Sequence, residues 1–270
     1  MNCSAEVLLL EEAGETMSSM LTIEPKVLFS YPSAKEFTYI LKTLSELVDE
    51  VAFMVRGEGV EVKALDSGRI ALFKAFMPPE SFQEFEVKDE LSVGLSVANL
   101  VKALKHIKKN DKITIAANEE FVEIVVEGTT MRRYKFRNLQ VLSEEVPEIN
   151  AEYDVEATVL ASPLRSAISE LSNLTDTIGV TVRGEEIVLY DYESKKTSYK
   201  LSSLAGTLIS LNVKNECDVA FDAEYLSKIN DALRLGSAVD LKFGREAPLF
   251  IEFTTTAGGK IEYYLAAKIV

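Results

Sequence analysis

The feature that most constrains this chain is a fifteen-residue stretch that occurs twice. Residues 44–58 read LSELVDEVAFMVRGE and residues 171–185 read LSNLTDTIGVTVRGE, so eight of fifteen positions are identical at an offset of 127. Each copy runs from the end of an amphipathic helix into a strand that stops at an Arg-Gly-Glu turn. A repeat of this length, in a chain of 270 residues, predicts two tandem copies of one domain.

The composition excludes several classes of protein. A formal net charge of −14 makes bulk attraction to nucleic acid or to a membrane surface unexpected, so contact with phosphate needs locally segregated positive charge. Two cysteines, Cys3 and Cys217, are too few for a disulfide framework and favour a reduced, cytoplasmic compartment. No apolar run approaches a membrane span, and residues 1–25 lack a basic leader, so we interpret them as a loose extension outside the fold.

Four amphipathic helices are predicted, two in each half of the chain. Ser33, followed three residues later by Glu36, has the pattern of a capping box and predicts a first helix over residues 34–49. Apolar residues at helical spacing predict a second helix from residue 97 through residue 107. A capping side chain, or proline at the first helical position, marks the start of the other helices: Ser96, Pro163 and Asp222.

Between the helices, alternating apolar segments predict eight or nine mostly antiparallel strands in each half. The fold class is therefore α+β, with two helices packed on antiparallel sheets in each of two tandem domains. Periodicity is lost around Pro147, in a segment that carries several glutamates. This predicts a connector at residues 141–152, between a first domain at residues 26–140 and a second domain at residues 153–270.

Residues that would carry catalysis are largely missing. His106 is the only histidine, which nearly excludes Ser-His or Cys-His catalysis and multi-histidine metal sites. Asp49 and Asp176 occupy equivalent places in the repeat, which favours a structural role at a helix end over a catalytic pair. Asp66 is interpreted as a turn acid rather than a general base, and the connector glutamates as a solvated segment rather than a divalent-cation site. We therefore expect no enzyme activity, no cofactor and no metal.

Positive charge collects on the predicted helices. The second helix has four basic residues at helical spacing, opposite its apolar stripe: Lys102, Lys105, His106 and Lys109. The other helices add Lys35, Lys42, Arg165 and Lys228. For one helix alone, solvated lysines are the ordinary interpretation. Equivalent helices of a duplicated fold, however, tend to line one common surface, and such a basic surface suits the phosphate backbone of duplex DNA.

Four motifs resemble the DNA sliding clamps of the proliferating cell nuclear antigen family, in their archaeal form. They are ALDSGRIALFKAFMP, EEVPEIN, FGREAPLFIEF and AGGKIEYYLAAKIV, and the resemblance covers residues 26–270. It implies a non-catalytic subunit of a closed trimeric ring, with helices lining a hole that holds duplex DNA. It also implies partners: DNA polymerase, flap endonuclease and DNA ligase bound through short peptide motifs, a clamp loader that opens the ring with ATP, and sibling subunits. The alternative is a ring or scaffold adaptor without DNA in its hole.

The resemblance also implies roles for particular residues. Lys102 and Lys105 match basic positions inside the ring, whereas the corresponding positions of the third and fourth helices hold Ser166, Ser169, Asn173 and Asp231. The pocket for client peptides is expected at Leu65, Arg69, Ile70, Leu72, Val146, Pro147, Pro248, Tyr264, Leu265 and Ala266. Glu144 and Ala267 depart from the pattern, because the family commonly has an apolar residue and a proline there.

Rings of this family join by pairing one edge strand from each domain. By alignment, these edges are residues 131–137 and 195–201, and the expected contacts are Met131, Arg133, Lys135 and Arg137 on one side and Lys196, Ser198 and Lys200 on the other. Like charges that face each other across a strand pair destabilise it. We therefore expect non-identical siblings with acidic edges, and a heterotrimer rather than a homotrimer.

Overall fold

The computed structural model describes residues 21–141, 146 and 148–269. The first half of this part of the chain contains nine strands: β1 (Val27–Tyr31), β2 (Glu50–Arg56), β3 (Gly59–Leu65), β4 (Ala71–Met77), β5 (Glu84–Val87), β6 (Leu91–Ser96), β7 (Lys112–Ala117), β8 (Phe121–Glu127) and β9 (Arg132–Arg137). The second half contains another nine: β10 (Val155–Leu160), β11 (Thr177–Arg183), β12 (Glu186–Asp191), β13 (Ser198–Ser202), β14 (Leu208–Val213), β15 (Asp218–Asp222), β16 (Ala238–Gly244), β17 (Ala247–Thr254) and β18 (Lys260–Leu265).

Each half also contributes two helices in the described residues: α1 (Ala34–Ser45), α2 (Val97–Ala103), α3 (Ala161–Ser172) and α4 (Ala223–Ser227). Short 3-10 turns follow β4 at Pro79–Ser81 and follow α4 at Lys228–Asn230 and Ala232–Leu235. The predicted α+β class, with two tandem copies of one unit, is confirmed.

Side-chain caps begin two of the helices, as the sequence predicts. The Ser33 hydroxyl accepts a hydrogen bond from the Glu36 backbone N–H at 3.2 Å, and the Asp222 carboxylate accepts one from the Tyr225 N–H at 3.1 Å. Pro163 is the third rather than the first residue of α3, because this helix begins two residues earlier. A proline is tolerated there, since the first N–H groups of a helix have no partner within it.

The carboxylates of the repeat mark equivalent structural positions. α1 ends at Ser45 rather than at residue 49, so Asp49 lies beyond the helix, just before β2. Its carbonyl accepts a hydrogen bond from the first N–H of α2, at Val97, at 2.9 Å. The carbonyl of Asp176 accepts the matching bond from Ala223 of α4 at 3.1 Å. Both residues therefore connect a strand to the second helix of their copy, which supports the structural interpretation.

The strands form three antiparallel sheets, and the strand order repeats between the copies. The orders are β5-β1-β7-β8-β9, β14-β10-β16-β17-β18-β4-β3-β2-β6 and β13-β12-β11-β15. The first of these matches the β14 to β18 part of the large sheet, and the third matches its β4 to β6 part. The large sheet is thus a five-stranded unit of the second copy joined edge to edge with a four-stranded unit of the first.

The join is an antiparallel pairing of β4 with β18. Its register runs from Lys260 opposite Phe76 to Leu265 opposite Ala71. The equivalent strands, β13 in the second copy and β9 in the first, lie at open edges of their sheets. Open edges present unpaired backbone groups. In the described residues, each of these edges therefore keeps unpaired backbone groups to which another strand can add.

The helices pack together as one layer. α1 contacts α2, α3 contacts α4, and α1 also contacts the turn Ala232–Leu235 of the second copy. At this last contact, the fully buried Thr43 hydroxyl accepts a hydrogen bond from the Ala232 N–H at 3.1 Å. The apolar sides of the helices and the inner faces of the sheets form one continuous core through both copies.

The residues just before β1 are attached to the first copy, which corrects part of the prediction of a loose extension. The Thr22 N–H donates to the Glu123 carboxylate in β8 at 2.8 Å, and the Thr22 hydroxyl donates to the same carboxylate. The Asn118 side chain donates to the Glu24 carbonyl at 3.2 Å. Residues 21–25 thus belong to the fold, and residues 1–20 lie outside the described part of the chain.

Asp66 fastens a loop of the first copy to the second copy. This carboxylate is only 3% exposed and accepts hydrogen bonds from the N–H groups of Gly68, Ile70 and Ala71 at 2.6–2.8 Å. The Tyr225 hydroxyl, from α4, also donates to it at 3.1 Å. Burial acts to raise the pKa of Asp66, but the four donors together hold it below its ordinary value. The structure thus confirms Asp66 as a turn acid.

Replacing Asp66 by Asn is expected to destabilise the fold by about 2 kcal/mol. The four donors are now shared between two carboxylate oxygens, whereas the Asn amide has only one oxygen that can accept them. Since the folded pKa lies below the unfolded value, the contribution of the carboxylate is present above about pH 4 and is lost as pH falls through the folded pKa. Urea unfolding of both proteins at neutral and acidic pH checks this. The difference should shrink in acid, and a constant difference would contradict the assignment.

Candidate functional site

The helix layer collects basic residues from both copies. Five of the predicted DNA-facing residues lie on a helix or on the turn after α4: Lys35, Lys42, Lys102, Arg165 and Lys228. The three on α1 and α2 are exposed, whereas Arg165 and Lys228 are half-buried. The Lys228 ammonium lies 4.1 Å from the centre of the Tyr225 ring, a cation–π contact. The helix side thus brings predicted cations of both copies together, although Glu36, Glu170 and Glu224 lie on the same helices.

Lys105, His106 and Lys109 do not lie on a helix face, contrary to the prediction. α2 is seven residues long, and the turn after it is tightened by a hydrogen bond from the Lys105 N–H to the Lys102 carbonyl at 3.3 Å. The next turn is held by Asp111, whose carboxylate accepts a backbone N–H at 3.0 Å. The three basic residues are still exposed, but at the end of α2 rather than along it.

The helix side of the second copy is less basic than that of the first. The positions where the resemblance implies cations hold Ser166, Ser169, Asn173 and Asp231. The Asn173 side chain donates to the Ser169 carbonyl at 2.8 Å, and the Asp231 carboxylate accepts from Arg234 at 3.1 Å. These polar groups are therefore partnered within their own copy, and the two copies differ in the charge they offer.

A cavity of about 220 Å³ lies where β4 and β18 meet. Seven of the ten residues predicted for the peptide pocket line it: Leu65, Arg69, Ile70, Leu72, Pro248, Tyr264 and Ala266. Ala71 and Ile149 complete the lining. Because one wall comes from the first copy and the other from the second, the cavity exists only through the pairing of β4 with β18.

Three residues predicted for the pocket are absent from this lining. Leu265 is fully buried, because side chains alternate along β18 and Tyr264 is the one that faces the cavity. Val146 lines a neighbouring cavity instead, and Pro147 lies outside the described residues. The sequence-based prediction missed Ile149, for which the only signal is an apolar residue in an acidic connector.

The walls of the cavity are held in place by contacts from both copies. The Asp66 carboxylate holds the loop that carries Ile70, as described above. The Ala266 N–H, from the second copy, donates to the Ile70 carbonyl at 2.9 Å. The Tyr264 ring lies 4.7 Å from the Phe250 ring, and its hydroxyl donates to a glutamate at 3.1 Å. Arg69 has a positive φ of 56°, which places it on the exposed rim of the loop. A pocket built this way loses little freedom when a ligand binds.

A second cavity, of about 520 Å³, adjoins the first and shares Leu65 with it. Its other walls are the outer sides of β2 and β3 and the connector residues Val141 and Val146. The lining is partly charged and includes Arg56 and Glu61. Described connector residues therefore lie beside both cavities: Val141 and Val146 beside the second, and Ile149 beside the first.

The open edge β9 presents basic side chains. Arg133, Lys135 and Arg137 are exposed and alternate with half-buried residues along the strand. Glutamates of the same sheet lie beside two of them: Glu123 at 3.6 Å from the Lys135 ammonium, and Glu120 at 3.0 Å from the Arg137 guanidinium. The positive charge of this edge is thus partly offset within the subunit, which the sequence alone does not reveal.

The open edge β13 presents fewer basic residues. Ser198 and Lys200 are exposed on this strand, and Glu186 lies 3.0 Å from the Lys200 ammonium. Met131 and Lys196 lie just before β9 and β13 rather than within them, because both strands begin later than predicted. In the part of the chain that the structure describes, both strands lie at the edges of their sheets.

The described residues provide little for metal or thiol chemistry. Within the described ranges, no cluster of three or more His, Cys, Asp or Glu side chains is placed to hold a metal ion. Cys217 is buried, and burial raises the pKa of its thiol to about 11, so the reactive thiolate is scarce at neutral pH. Glu148 is exposed, while Cys3, Glu144 and Glu145 lie outside the described residues. In the part of the chain described, no helix is long and apolar enough to cross a membrane.

Comparison with solved structures identifies the same architecture elsewhere. A PCNA2–PCNA3 complex from Sulfolobus tokodaii matches with a TM-score of 0.84 and 22% identity, covering 89% of this chain and 99% of that one. A proliferating cellular nuclear antigen from Entamoeba histolytica matches with a TM-score of 0.80 and 19% identity, covering 91% of this chain and 100% of that one. At these identities the likeness shows the fold alone.

Sequence comparisons identify the family. The chain is 33% identical over 240 residues to DNA polymerase sliding clamp 1 of Sulfurisphaera tokodaii, covering 88% of this chain and 98% of the relative. It is 29% identical over 245 residues to the DNA polymerase sliding clamp of Thermofilum pendens, covering 90% and 99%. The amino-terminal domain model of proliferating cell nuclear antigen matches residues 31–148, and the carboxyl-terminal domain model matches residues 145–268. The chain therefore belongs to the proliferating cell nuclear antigen family.

Proposed function

We propose that this chain is a subunit of a DNA sliding clamp, a ring that encircles duplex DNA and tethers DNA polymerase to it. The observation that carries the proposal is the tandem match to both domains of the family across residues 31–268. The exposed lysines of the helix layer support it, because local positive charge allows an acidic chain to contact phosphate without general attraction to nucleic acid. Two domains, residues 26–140 and 153–270, then flank the connector at 141–152. Such a subunit works in the cytoplasm at the nucleoid, or in a nucleus.

The experiment that tests this function is retention on DNA. The chain, alone and mixed with sibling subunits, is loaded by a clamp loader and ATP on closed circular and on linear duplexes. A clamp stays on the circle and escapes from the linear molecule, since only topology holds it. Equal escape from both would refute the proposal.

The second candidate is a ring or scaffold adaptor without DNA in its hole. The uncharged and acidic residues at Ser166, Ser169, Asn173 and Asp231 favour it, because they leave the second copy with few cations on its helix side. The same assay separates the two candidates. Assembly into a ring, without retention on circular DNA, would select the adaptor.

Charge reversal of Lys102 and Lys105 to Glu is expected to weaken loading onto circular DNA, because both are exposed at the helix layer. Each ion pair with phosphate that the substitutions remove should lower the salt slope of binding by about 0.9. The matched control changes Lys88 and Lys214 to Glu, which gives the same net charge as the first pair of substitutions. Both lysines are exposed, just after β5 and β14. Equal effects from the two pairs, measured over a salt series, would contradict the DNA-facing assignment.

The cavity at β4 and β18 fits a short helical peptide with hydrophobic anchors, the kind of motif expected on DNA polymerase, flap endonuclease and DNA ligase. Its apolar walls supply the anchor site, and the connector residue Ile149 forms part of its border. Glu144 in that connector and Ala267 after β18 depart from the family pattern. The rim is then less apolar, and the preference among clients differs accordingly.

Replacing Ile70 by Glu is expected to lower the affinity for a polymerase tail peptide about tenfold or more, because it places a charge in the apolar anchor site. Calorimetric titration measures this. Leu204→Glu is the control, since Leu204 is fully exposed at another turn. Leu265 is unsuitable for the test, because a charge there would enter the core. Unchanged affinity of the Ile70→Glu variant for the peptide would contradict the assignment of this cavity as the peptide pocket.

Ring closure is assigned to pairing of β9 with β13 of a neighbouring subunit, the pairing that joins the two copies within the chain. In the join within the chain, Tyr264 of β18 lies opposite Leu72 of β4. β9 is the equivalent of β18, and β13 is the equivalent of β4; matching their inward-facing side chains puts Lys135 in the place of Tyr264 and Lys196 in the place of Leu72. In a ring of identical subunits, Lys135 would therefore lie opposite Lys196. Such a like-charge pair is unfavourable. Glu123 offsets part of the positive charge of Lys135 within the subunit. In a homotrimer, Lys196 of the neighbouring subunit would bring a second positive charge to the same place.

This chain is therefore expected to prefer siblings with acidic edges and to form a heterotrimer, since like charges at an interface reject the wrong partner. Light scattering measures the mass of the isolated chain at micromolar concentration and moderate salt, and then the mass of its mixtures with sibling subunits. A monomer that gains mass only in mixtures is the expected result. A stable homotrimer of the isolated chain would contradict it.

A further inference from the structure

The residues that lead into β1 run toward the open edge of the five-stranded sheet. The Lys26 N–H donates to the Ala117 carbonyl of β7 at 2.8 Å, and the Glu24 carbonyl binds the turn between β7 and β8. Thr22 then contacts Glu123 of β8. Traced backward from β1, the chain thus crosses β7 and β8 in turn, and the next strand along this course is β9.

Thr22 is fixed at this place by a buried carboxylate. Glu123 is 0% exposed and accepts hydrogen bonds from both the N–H and the hydroxyl of Thr22. The Lys135 ammonium of β9 donates to the Thr22 hydroxyl at 3.1 Å. Burial acts to raise the pKa of Glu123, but the Thr22 bonds and the charges of Lys135 and Arg133 hold it below its ordinary value. The segment before Thr22 therefore starts beside the basic face of β9.

The charge and length of that preceding segment match β9. Residues 1–21 contain four acids, Glu6, Glu11, Glu12 and Glu15, and no lysine or arginine, with the apolar run VLLL at residues 7–10. β9 reads RRYKFR. At about 3.3 Å per extended residue, 21 residues reach roughly 70 Å, whereas a six-residue strand spans about 20 Å. The segment can therefore cover the whole edge.

We propose that residues 1–21 bind the open edge and basic face of β9 in the same subunit, and so compete with a neighbouring subunit for that edge. Sheet edges attract unwanted pairing, and proteins commonly cover them. Because Thr22 tethers the segment, its local concentration at β9 is on the order of millimolar. Only a neighbour whose edge complements β9 better than the segment does displaces it. The proposal uses the assembly edge of the proposed clamp, but the contact itself lies within one chain.

The test is amide hydrogen exchange of the isolated subunit, which reports on β9 whether or not a ring forms. Deleting residues 2–20 is expected to speed exchange in residues 132–137 about tenfold, because the edge N–H groups lose their cover. In the full-length chain, changing Glu6, Glu11, Glu12 and Glu15 to Gln should also speed amide exchange in residues 132–137, but by less than the deletion does. The matched control changes four exposed acids elsewhere to Gln: Glu58, Glu80, Glu224 and Glu246.

Unchanged exchange in β9 after the deletion would overturn the proposal, as would equal effects from the two sets of Gln substitutions. A second measurement uses association: the truncated chain should bind sibling subunits faster than the full chain, and slower binding would mean that the segment bridges subunits instead. Failure of retention on circular DNA in every variant, with exchange still accelerated, would refute the clamp function and leave this contact standing.

Discussion

The antiparallel pairing of β4 with β18 is the constraint on which the rest of the molecule depends. Duplication supplies two equivalent copies, and each copy has one five-stranded and one four-stranded sheet unit. Within the described part of the chain, only one pair of edge strands from the two copies meets, β4 with β18. The other pair, β9 and β13, does not meet in the described residues, and these strands lie at the edges of the two smaller sheets. The proposed ring would repeat between subunits the contact that joins the two copies within one chain.

The same pairing builds the cavity at β4 and β18, so folding and the proposed client binding share residues. Asp66 and the Ala266 N–H hold the loop that carries Ile70, and the Tyr225 hydroxyl reaches that loop from the second copy. Loosening the join between the copies would therefore widen the pocket as well as weaken the core. In this fold the cavity lies at the join between the copies, and contacts from both copies hold its walls.

Local patterns predicted local structure well, and contacts between distant residues account for the misses. The repeat, the Ser33 and Asp222 caps and the strand alternation are short-range signals, and the structure contains the corresponding elements. The early end of α2 depends on Asp111 in a later turn. Equally, the direction of Leu265 depends on register in β18, and the attachment of Thr22 depends on Glu123, 101 residues away. Seven of the nine residues that line the cavity at β4 and β18 were expected from the family resemblance, whereas the glutamates beside the basic edge were not expected.

In the proposed ring, the charge on the strand edges, rather than the net charge, governs how subunits select one another. At physiological salt the Debye length is about 8 Å, so the repulsion between two chains of net charge −14 is screened until their surfaces nearly touch. At contact, the groups that remain unscreened are those of β9 and β13, where desolvation strengthens each pair. Because Glu123 and Glu120 already offset part of the β9 charge, the penalty against a wrong neighbour is graded rather than absolute. A graded penalty allows a competing segment of the same chain to shift the choice of neighbour.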